Sequence, residues 1–302
     1  MHVNTPILTA NDCEGAGEVF NVFANDESDP HKLQEPHEPH DNPHFFRRPA
    51  YLTVSSQLHL EAIASARTRV YTLSPCFRAE RSQTNRHLAE FWMLEAEWAF
   101  TKSVEDVCGV VEAMTKSVYD GVLEEIDVGR DVIARNRTWT RITYTDAIRE
   151  LENQGSLPRR SIEFDYKPQW GKALQSEHEK WLAQVMGGPV FVTDYPKSLK
   201  PFYMRVNDDG ETVACFDLLV PGVGELVGGS LREERIDVLD DAMQHHGLQT
   251  DEYEWYRDLR RFGGAPHGGF GLGMERLVSL LTGIENVREC IPMPRWAGRM
   301  LL

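Results

Sequence analysis

The chain has 302 residues, of which 41% are hydrophobic and 26% are charged, as in ordinary soluble globular proteins. Its five cysteines form no CxxC pair, which disfavours a zinc site or a disulfide framework and favours a reducing compartment. No apolar run is long enough to predict a membrane helix. We therefore expect a cytoplasmic protein, with a mitochondrial location left open. The net charge of −15 counts against tight nucleic-acid binding by this chain alone, because phosphate neutralisation drives such binding.

Strands and helices alternate irregularly along the sequence. After a short strand and loop, residues 27–48 are rich in proline and histidine; prolines forbid regular ligand geometry, so we predict a surface insertion rather than a metal tract. Helices are predicted at 58–66, 104–126, 146–155, 171–186, 230–246, 251–261 and 273–282, and strands at 70–73, 91–100, 141–144, 190–193, 202–206, 212–220 and 225–229. Without regular βαβ units, the expected fold is α+β, an antiparallel sheet flanked by helices in one domain over 1–302.

The densest charged segment is CFRAERSQTNRHLAEFWMLEAEWAF, which covers residues 76–100. Arg78, Glu80, Arg86 and His87 crowd a predicted loop between two apolar strands. Guanidinium groups can bind phosphate oxygens bidentately, and a carboxylate beside them can accept from an exocyclic amine such as that of adenine. A solvated hairpin of mixed charge is the alternative.

Two acidic residues, Asp217 and Glu225, are embedded in the apolar strands of FDLLVPGVGELVGGSLREER. A buried carboxylate requires a cation or a partner arginine, and oxygen ligands beside a nucleotide indicate Mg²⁺. Gly228 and its neighbour leave room for a small substrate against the sheet. Arg232 suits a carboxylate or carbonyl group of that substrate, although a structural Asp–Arg pair explains the segment equally well.

The third segment, GGAPHGGFGLGMERLV at residues 263–278, is rich in glycine. We predict a glycine-rich turn that leads into a helix beginning near Met274, an arrangement that can bind an anion. Arg276 lies in the first helical turn, within reach of a phosphate. The segment contains neither a Walker loop nor a convincing dinucleotide fingerprint.

Together, these three segments resemble motifs 2 and 3 of class II aminoacyl-tRNA synthetases with the metal-bearing strand between them. FRAERSQTNRHLAEFWMLEAE is similar to motif 2 of the aspartate and asparagine branch, and GLGMERLV is similar to its motif 3. Three further segments resemble asparaginyl-tRNA synthetases in particular: TPILTANDCEGAGEVF, YLTVSSQLHLEAI and FVTDYPKSLKPFYMRVNDDGETVACFDLLVPGVGELVGGSLREER. The resemblance runs from about residue 5 to residue 295 and implies the class II catalytic fold.

The resemblance implies an ATP site made of eight residues: Arg78, Glu80, Arg86, His87, Leu88, Glu225, Gly273 and Arg276. Arg78 would hold the α-phosphate and stabilise charge in the transition state, while Glu80 would contact the adenine amine. Arg86 and His87 would contact the outer phosphates. Arg276 would clamp the γ-phosphate and stack on adenine.

The resemblance also implies Mg²⁺ on Asp217 and Glu225, and it makes Arg78, Glu225 and Arg276 the predicted catalytic residues. No protein nucleophile is needed, because the substrate carboxylate attacks the α-phosphorus and a tRNA ribose hydroxyl then attacks the adenylate. ATP and Mg²⁺ are the predicted cofactors, and asparagine and the tRNA acceptor end are the predicted partners.

The amino acid would be bound by a second set of residues: Glu14, Ser55, Gln57, Glu95, Gly228 and Arg232. The two glutamates and the glutamine would surround the ammonium group, and Gly228 and Arg232 would lie near the side chain. Relatives that activate aspartate carry a lysine just after the SxQ element, where this chain has Leu60. Losing that cation suits a neutral amide, and a site built for one polar group can reject its analogue by roughly 10⁴-fold.

The sequence departs from the family at its beginning. NTPIL is similar to the end of motif 1, but neither the long helix that precedes it nor the OB barrel that reads the anticodon is found. We still expect a homodimer. One interpretation is an asparagine–tRNA ligase, and another is a stand-alone paralogue that transfers an aspartyl or asparaginyl adenylate to ammonia or another amine. An inactive regulatory protein is disfavoured, because five residues of the predicted site are intact: Arg78, Glu80, Glu225, Arg232 and Arg276.

Overall fold

The computed structural model describes residues 1–11, 18–24, 44–82, 84–125, 133–153 and 163–301. A seven-stranded sheet lies at its centre, in the spatial order β3-β4-β9-β8-β7-β6-β5. Its strands are β3 (Arg69–Phe77), β4 (Glu90–Ala99), β5 (Thr140–Thr143), β6 (Val190–Thr193), β7 (Cys215–Val220), β8 (Gly224–Leu231) and β9 (His267–Gly273). Neighbouring strands are antiparallel except for the parallel pair β5 and β6. Two shorter strands, β1 (Leu8–Thr9) and β2 (Tyr51–Leu52), pair separately.

Helices cover both faces of the sheet. They are α1 (Gln57–Arg67), α2 (Val104–Glu125), α3 (Tyr144–Asn153), α4 (Ser176–Val185), α5 (Ile236–His245), α6 (Glu254–Arg261) and α7 (Met274–Thr282). Side chains of β7 alternate between two cores, as the period of a strand requires: Phe216 and Leu218 pack with α2, whereas Cys215 and Leu219 pack with α3 and α4. The structure therefore confirms the predicted α+β fold. No helix of the described residues is long and apolar enough to cross a membrane.

The glycine-rich segment forms a strand at the centre of the sheet, where we predicted a turn. In β9, Gly269 lies opposite Glu97 on one side and Ser230 on the other. A Cβ atom on Gly269 would be 2.1 Å from the carbonyl oxygen of Ala96, so the close approach of the two chains requires glycine. The prediction failed because glycine lacks the side-chain pattern by which strands are recognised.

Several other predicted boundaries differ from those in the structure, including the starts of three helices. The helix predicted from residue 146 begins at Tyr144, because the side chain of Thr143 accepts a hydrogen bond from the backbone of Asp146 at 3.1 Å and caps the helix. The helices predicted from 171 and from 230 begin at Ser176 and Ile236, the latter because β8 continues to Leu231.

The prediction of a strand at 202–206 was wrong, because these described residues form no strand. Met204 and Val206 each form only an isolated bridge, while Phe202 and Tyr203 are buried against α5 and α6. Residues 202–206 look like a strand in the sequence because these aromatic residues belong to the core and make the segment apolar. Glu14 and residues 27–43 of the predicted insertion lie outside the described residues.

Candidate active site

A cavity of about 290 Å³ opens between the β3–β4 loop, β8, β9 and the start of α7. The structure brings to it all eight residues predicted for the ATP site: Arg78, Glu80, Arg86, His87, Leu88, Glu225, Gly273 and Arg276. They come from three segments that are distant in the sequence, and the antiparallel order β4-β9-β8 makes those segments neighbours.

The β3–β4 loop presents its charged side chains from a closed hairpin. The backbone N–H of Arg78 donates to Ala89 at 3.0 Å, and its guanidinium lies 5.3 Å from the centre of the Phe91 ring. Glu80 lies 3.9 Å from Arg78 and 3.2 Å from Nε2 of His87. The hairpin therefore holds a cation and a carboxylate side by side at the mouth of the cavity.

The surroundings of His87 favour its neutral form. Burial lowers its pKa; Glu80 opposes that effect, and the neighbouring guanidinium groups of Arg276, Arg86 and Arg78 add to it. Nε2 of the ring lies 3.2 Å from a Glu80 carboxylate oxygen, and Nδ1 is hydrogen-bonded to the Thr84 hydroxyl at 2.6 Å.

On the opposite wall, Arg276 reaches from the first turn of α7 to Glu225 on β8. Its Nη1 donates to the Glu225 carboxylate at 3.1 Å and to the Glu225 carbonyl at 2.8 Å. Burial alone would raise the pKa of the Glu225 carboxyl, but Arg276, followed by Lys200, lowers it to about 2. Glu225 is therefore ionised at any physiological pH.

Two residues that contact Asp217 and Glu225 from outside the cavity lining had no signal in the sequence. Lys200 donates to both carboxylate oxygens of Asp217 at 2.7 Å. Burial disfavours the ammonium and would lower the pKa of Lys200, but the charge of Asp217 outweighs burial, so the pKa lies above its ordinary value. Glu179 of α4 pairs with Arg86 at 2.9 Å and accepts from the backbone N–H of Glu225 at 3.1 Å. Only tertiary contacts join these partners.

The residues predicted to bind the amino acid lie deeper in the sheet. Ser55 donates to Glu95 at 2.5 Å, and the backbone N–H of Ser56 donates to the same carboxylate at 2.8 Å. Nη2 of Arg232 donates to Oε1 of Gln57 at 2.6 Å. Gly228 borders the other wall: a Cβ there would lie 3.3 Å from Glu225 and 3.7 Å from Asp217.

The two groups of residues adjoin at the middle of β9. Gly271 and Met93 line the ATP cavity, and a Cβ on Gly271 would lie 2.6 Å from Met93 and 3.7 Å from Glu95. A ligand that extends from the cavity past Gly271 therefore reaches the region of Glu95. Glu14 is the one predicted member of this set whose position lies outside the described residues.

Charged groups that the sequence did not single out lie beneath Gln57 and Arg232. We call Glu61, Glu97, Arg232, Arg260 and His267 the buried charge cluster. Glu97 accepts from Nη2 of Arg232 at 2.9 Å, while Glu61 accepts from Arg260 at 2.8 Å and lies 3.0 Å from Nε2 of His267. These side chains come from α1, β4, α6, β9 and the residue that follows β8.

A cavity lined by arginines and an ionised carboxylate, beside buried polar groups, can bind a polyanion such as a nucleotide next to a small polar ligand. Residues 1–297 match the family described as tRNA synthetases class II (D, K and N), and the chain belongs to that family.

Among curated relatives, the chain is 47% identical over 312 residues to the asparagine–tRNA ligase of Myxococcus xanthus and 48% identical over 312 residues to that of Rhodopirellula baltica. These matches cover 98% of this chain but 65% and 62% of the two relatives. The chain therefore spans less than two thirds of their length.

Solved structures give the same likeness. The chain is similar to asparaginyl-tRNA synthetase from Pyrococcus horikoshii complexed with asparaginyl-adenylate, with a TM-score of 0.83 and 35% identity over 99% of this chain and 64% of that one. The Entamoeba histolytica asparaginyl-tRNA synthetase in complex with asparaginyl-adenylate gives a TM-score of 0.81 and 31% identity, covering 99% of this chain and 62% of that one.

Proposed function

We propose that this chain activates asparagine with ATP, forming asparaginyl adenylate, and transfers the asparaginyl group to the 3′ end of tRNA. One observation carries the proposal: Arg78, Glu225 and Arg276 line a single cavity that adjoins buried residues able to bind a small polar amino acid. The relatives named as asparagine–tRNA ligases support the same substrate.

The proposed roles follow from where charge develops. Arg78, stacked on Phe91, would stabilise the α-phosphate as the asparagine carboxylate attacks it, and Glu80 would accept from the adenine amine. Arg276 would exchange its contact with Glu225 for the γ-phosphate. Preorganised donors of this kind lower the barrier without any proton transfer, so a general base is not required.

His87 and Arg86 would contact the outer phosphates. His87 would do so through the ring nitrogen that lies beside Glu80. Glu179 of α4 holds the Arg86 guanidinium at 2.9 Å beside the cavity. The site would thus offer three guanidinium groups to the triphosphate, and Arg276 would leave its carboxylate partner Glu225 when ATP binds.

The residues present suit Mg²⁺ through Glu225 better than through Asp217. Both Asp217 oxygens accept from Lys200, whereas Glu225 borders the cavity and directs Oε1 toward Gly228. In the described part of the chain, no group of three or more acidic, histidine or cysteine side chains forms a metal shell, as suits an ion held largely by phosphates. When bound, Mg²⁺ would neutralise phosphate charge.

ATP–pyrophosphate exchange tests the first half of the reaction. We expect exchange that depends on asparagine and is far weaker with aspartate. Arg78→Ala should abolish it by removing the donor to the α-phosphate. Near-normal exchange by that variant, or no exchange by the unaltered chain with either amino acid, would contradict the proposal.

The second half is tested by charging of asparagine tRNA, compared with release of a free amide in ammonium buffer. The net charge of −15 favours the free amide, because a negative chain binds the phosphates of tRNA weakly. Our proposal requires charged tRNA to exceed the amide. We also propose a homodimer, which light scattering of the purified chain would test.

A further inference from the structure

The tip of the β3–β4 loop carries two residues that line the cavity and would contact the outer phosphates of ATP, Arg86 and His87. The base of the loop is fixed by its own strands, since the backbone N–H of Arg78 donates to Ala89 at 3.0 Å. The tip lies beyond this closed hairpin, so its position relative to the cavity depends on contacts from elsewhere in the chain. Such contacts matter for the reaction, because a misplacement of about 1 Å at a reacting site can cost about 100-fold in rate.

The segment that follows α7 meets the tip through three hydrogen bonds. The backbone N–H of Val287 donates to the carbonyl of Asn85 at 3.0 Å, and Nδ2 of Asn85 donates to the carbonyl of Glu285 at 3.4 Å. Nη2 of Arg288 donates to the carbonyl of Thr84 at 3.0 Å. Arg288 supplies the one charged donor among these three bonds, and hydrogen bonds from charged donors are the stronger kind.

The contact between Arg288 and Thr84 continues into the cavity. The Thr84 hydroxyl is hydrogen-bonded to Nδ1 of His87 at 2.6 Å, and it accepts from the backbone N–H of Arg86 at 3.4 Å. Nε2 of His87 in turn lies 3.2 Å from Glu80. Through a single loop residue, Arg288 is therefore linked to both residues that would contact the outer phosphates.

Arg288 is itself fixed by the C-terminal part of the chain. Its guanidinium lies 4.5 Å from the centre of the Trp296 ring, a contact that suits a planar cation. Its backbone N–H donates to the side chain of Asn286 at 3.2 Å, at the start of the short helical turn Val287–Glu289. The guanidinium therefore reaches the loop from a fixed position, on a segment that continues from the helix bearing Arg276.

We propose that Arg288 is a positioning residue for the outer phosphates of ATP. It joins the loop tip to the segment after α7, and so sets the distance between Arg86 and His87 on one wall and Arg276 on the other. Arg288 does not itself line the cavity, so it acts through the loop. AMP lacks the phosphates that these walls would bind, and its affinity is independent of this distance. The inference rests on the proposed use of ATP and adds a residue outside the site.

The test compares the affinities of the whole chain for ATP and for AMP, measured by calorimetry. Arg288→Met should weaken ATP binding about 10-fold, as expected for the loss of a hydrogen bond from a charged donor, and leave AMP binding within about twofold. Arg288→Lys keeps a charged donor and should bind ATP within about threefold of the unaltered chain. A partly unfolded sample lowers the amount of both ligands bound but not the ratio of their dissociation constants, so the ratio separates positioning from stability.

Arg299→Met is the matched control. Arg299 lies 5.4 Å from the centre of the same Trp296 ring and does not line the ATP cavity, so both affinities should stay within about twofold, as for an ordinary surface substitution. Thr84→Val removes the next link, the hydroxyl beside His87, at an exposed position where folding tolerates the change. It should repeat the selective loss of ATP affinity, and it carries the test if Arg288→Met does not fold.

A double-mutant cycle tests the path from Arg288 to the phosphates. If Arg288 acts through the loop tip, Arg288→Met combined with His87→Ala should weaken ATP binding by much less than the product of the two single effects. Independent effects would overturn the inference, as would equal losses of ATP and AMP affinity, or unchanged ATP affinity in both Arg288→Met and Thr84→Val. The proposed function is judged separately, by asparagine-dependent exchange of the unaltered chain, and none of these outcomes alters that result.

Discussion

Replacing Arg276 by methionine separates a loss of catalysis from a loss of stability. The pair that it forms with Glu225 is partly exposed, with 25% and 35% of the two side chains accessible. Pairs in such positions contribute about 0.5 to 1 kcal/mol to folding. For a chain of this size the melting temperature should therefore fall by only about 1 to 2 °C.

The effect on the reaction should be much larger. The Arg276 guanidinium lines the cavity and would stabilise phosphate charge in the transition state. Removing one preorganised donor from such a site costs about 3 to 4 kcal/mol, which is roughly 10²- to 10³-fold in rate. Methionine keeps much of the aliphatic volume, so the loss reports the charge and its hydrogen bonds.

Arg295→Met provides a matched control for ATP–pyrophosphate exchange. Arg295 pairs with Glu90 at 3.0 Å, with exposures of 29% and 33%, and it lies outside the ATP cavity. Both variants should melt within a few degrees of the unaltered chain, and Arg276→Met alone should lose exchange. Exchange by Arg276→Met within about threefold of normal, or an equal loss in Arg295→Met, would refute the reasoning.

Three further predictions concern stability. Lys200→Met strands Asp217 without its cation, so urea unfolding should show a loss of about 3 to 5 kcal/mol, and a loss under about 1 kcal/mol would contradict the pairing. Gly269→Ala forces a Cβ to 2.1 Å from a carbonyl oxygen and should prevent stable folding, as a thermal melt would show. Its control is Gly109→Ala, where the new Cβ has no atom within 4 Å; this variant should be neutral or stabilising in the same measurement. The pKa of His267 is raised: burial alone would lower it, but its buried glutamate partner in the charge cluster outweighs that effect. The stability that His267 adds is therefore complete below pH 6.5 and is lost as the pH rises through the pKa of His267 in the folded state. His267→Gln should flatten the dependence of the unfolding free energy on pH, measured by denaturant titrations from pH 6 to 9.

Local patterns in the sequence determined much of the fold. Helix α2 occupies Val104–Glu125, where apolar residues recur at helical spacing, and β3 and β4 lie where apolar runs flank the charged loop. The eight residues assigned to the ATP site by resemblance also line one cavity. The helix and the two strands were accessible because each depends on a short segment whose own pattern carries the information, whereas the ATP-site residues were assigned by resemblance.

Tertiary structure alone decided the partners of the buried charges. Arg260 and His267 lie 199 and 206 positions from Glu61 along the chain, and no local pattern relates them. The same holds for Glu179, which meets the backbone of Glu225 from 46 positions away. A buried carboxylate indicates that some cation is near, but its identity depends on which strands become neighbours.

The glycine-rich strand β9 shows the same division between sequence and tertiary structure. Its composition determined that a backbone or a ligand approaches closely, since glycine permits both. That the approaching group is the neighbouring backbone of β4 follows only from the sheet order β4-β9-β8. Side-chain patterns encode local geometry, whereas the pairing of distant segments is settled by the packing of the whole chain.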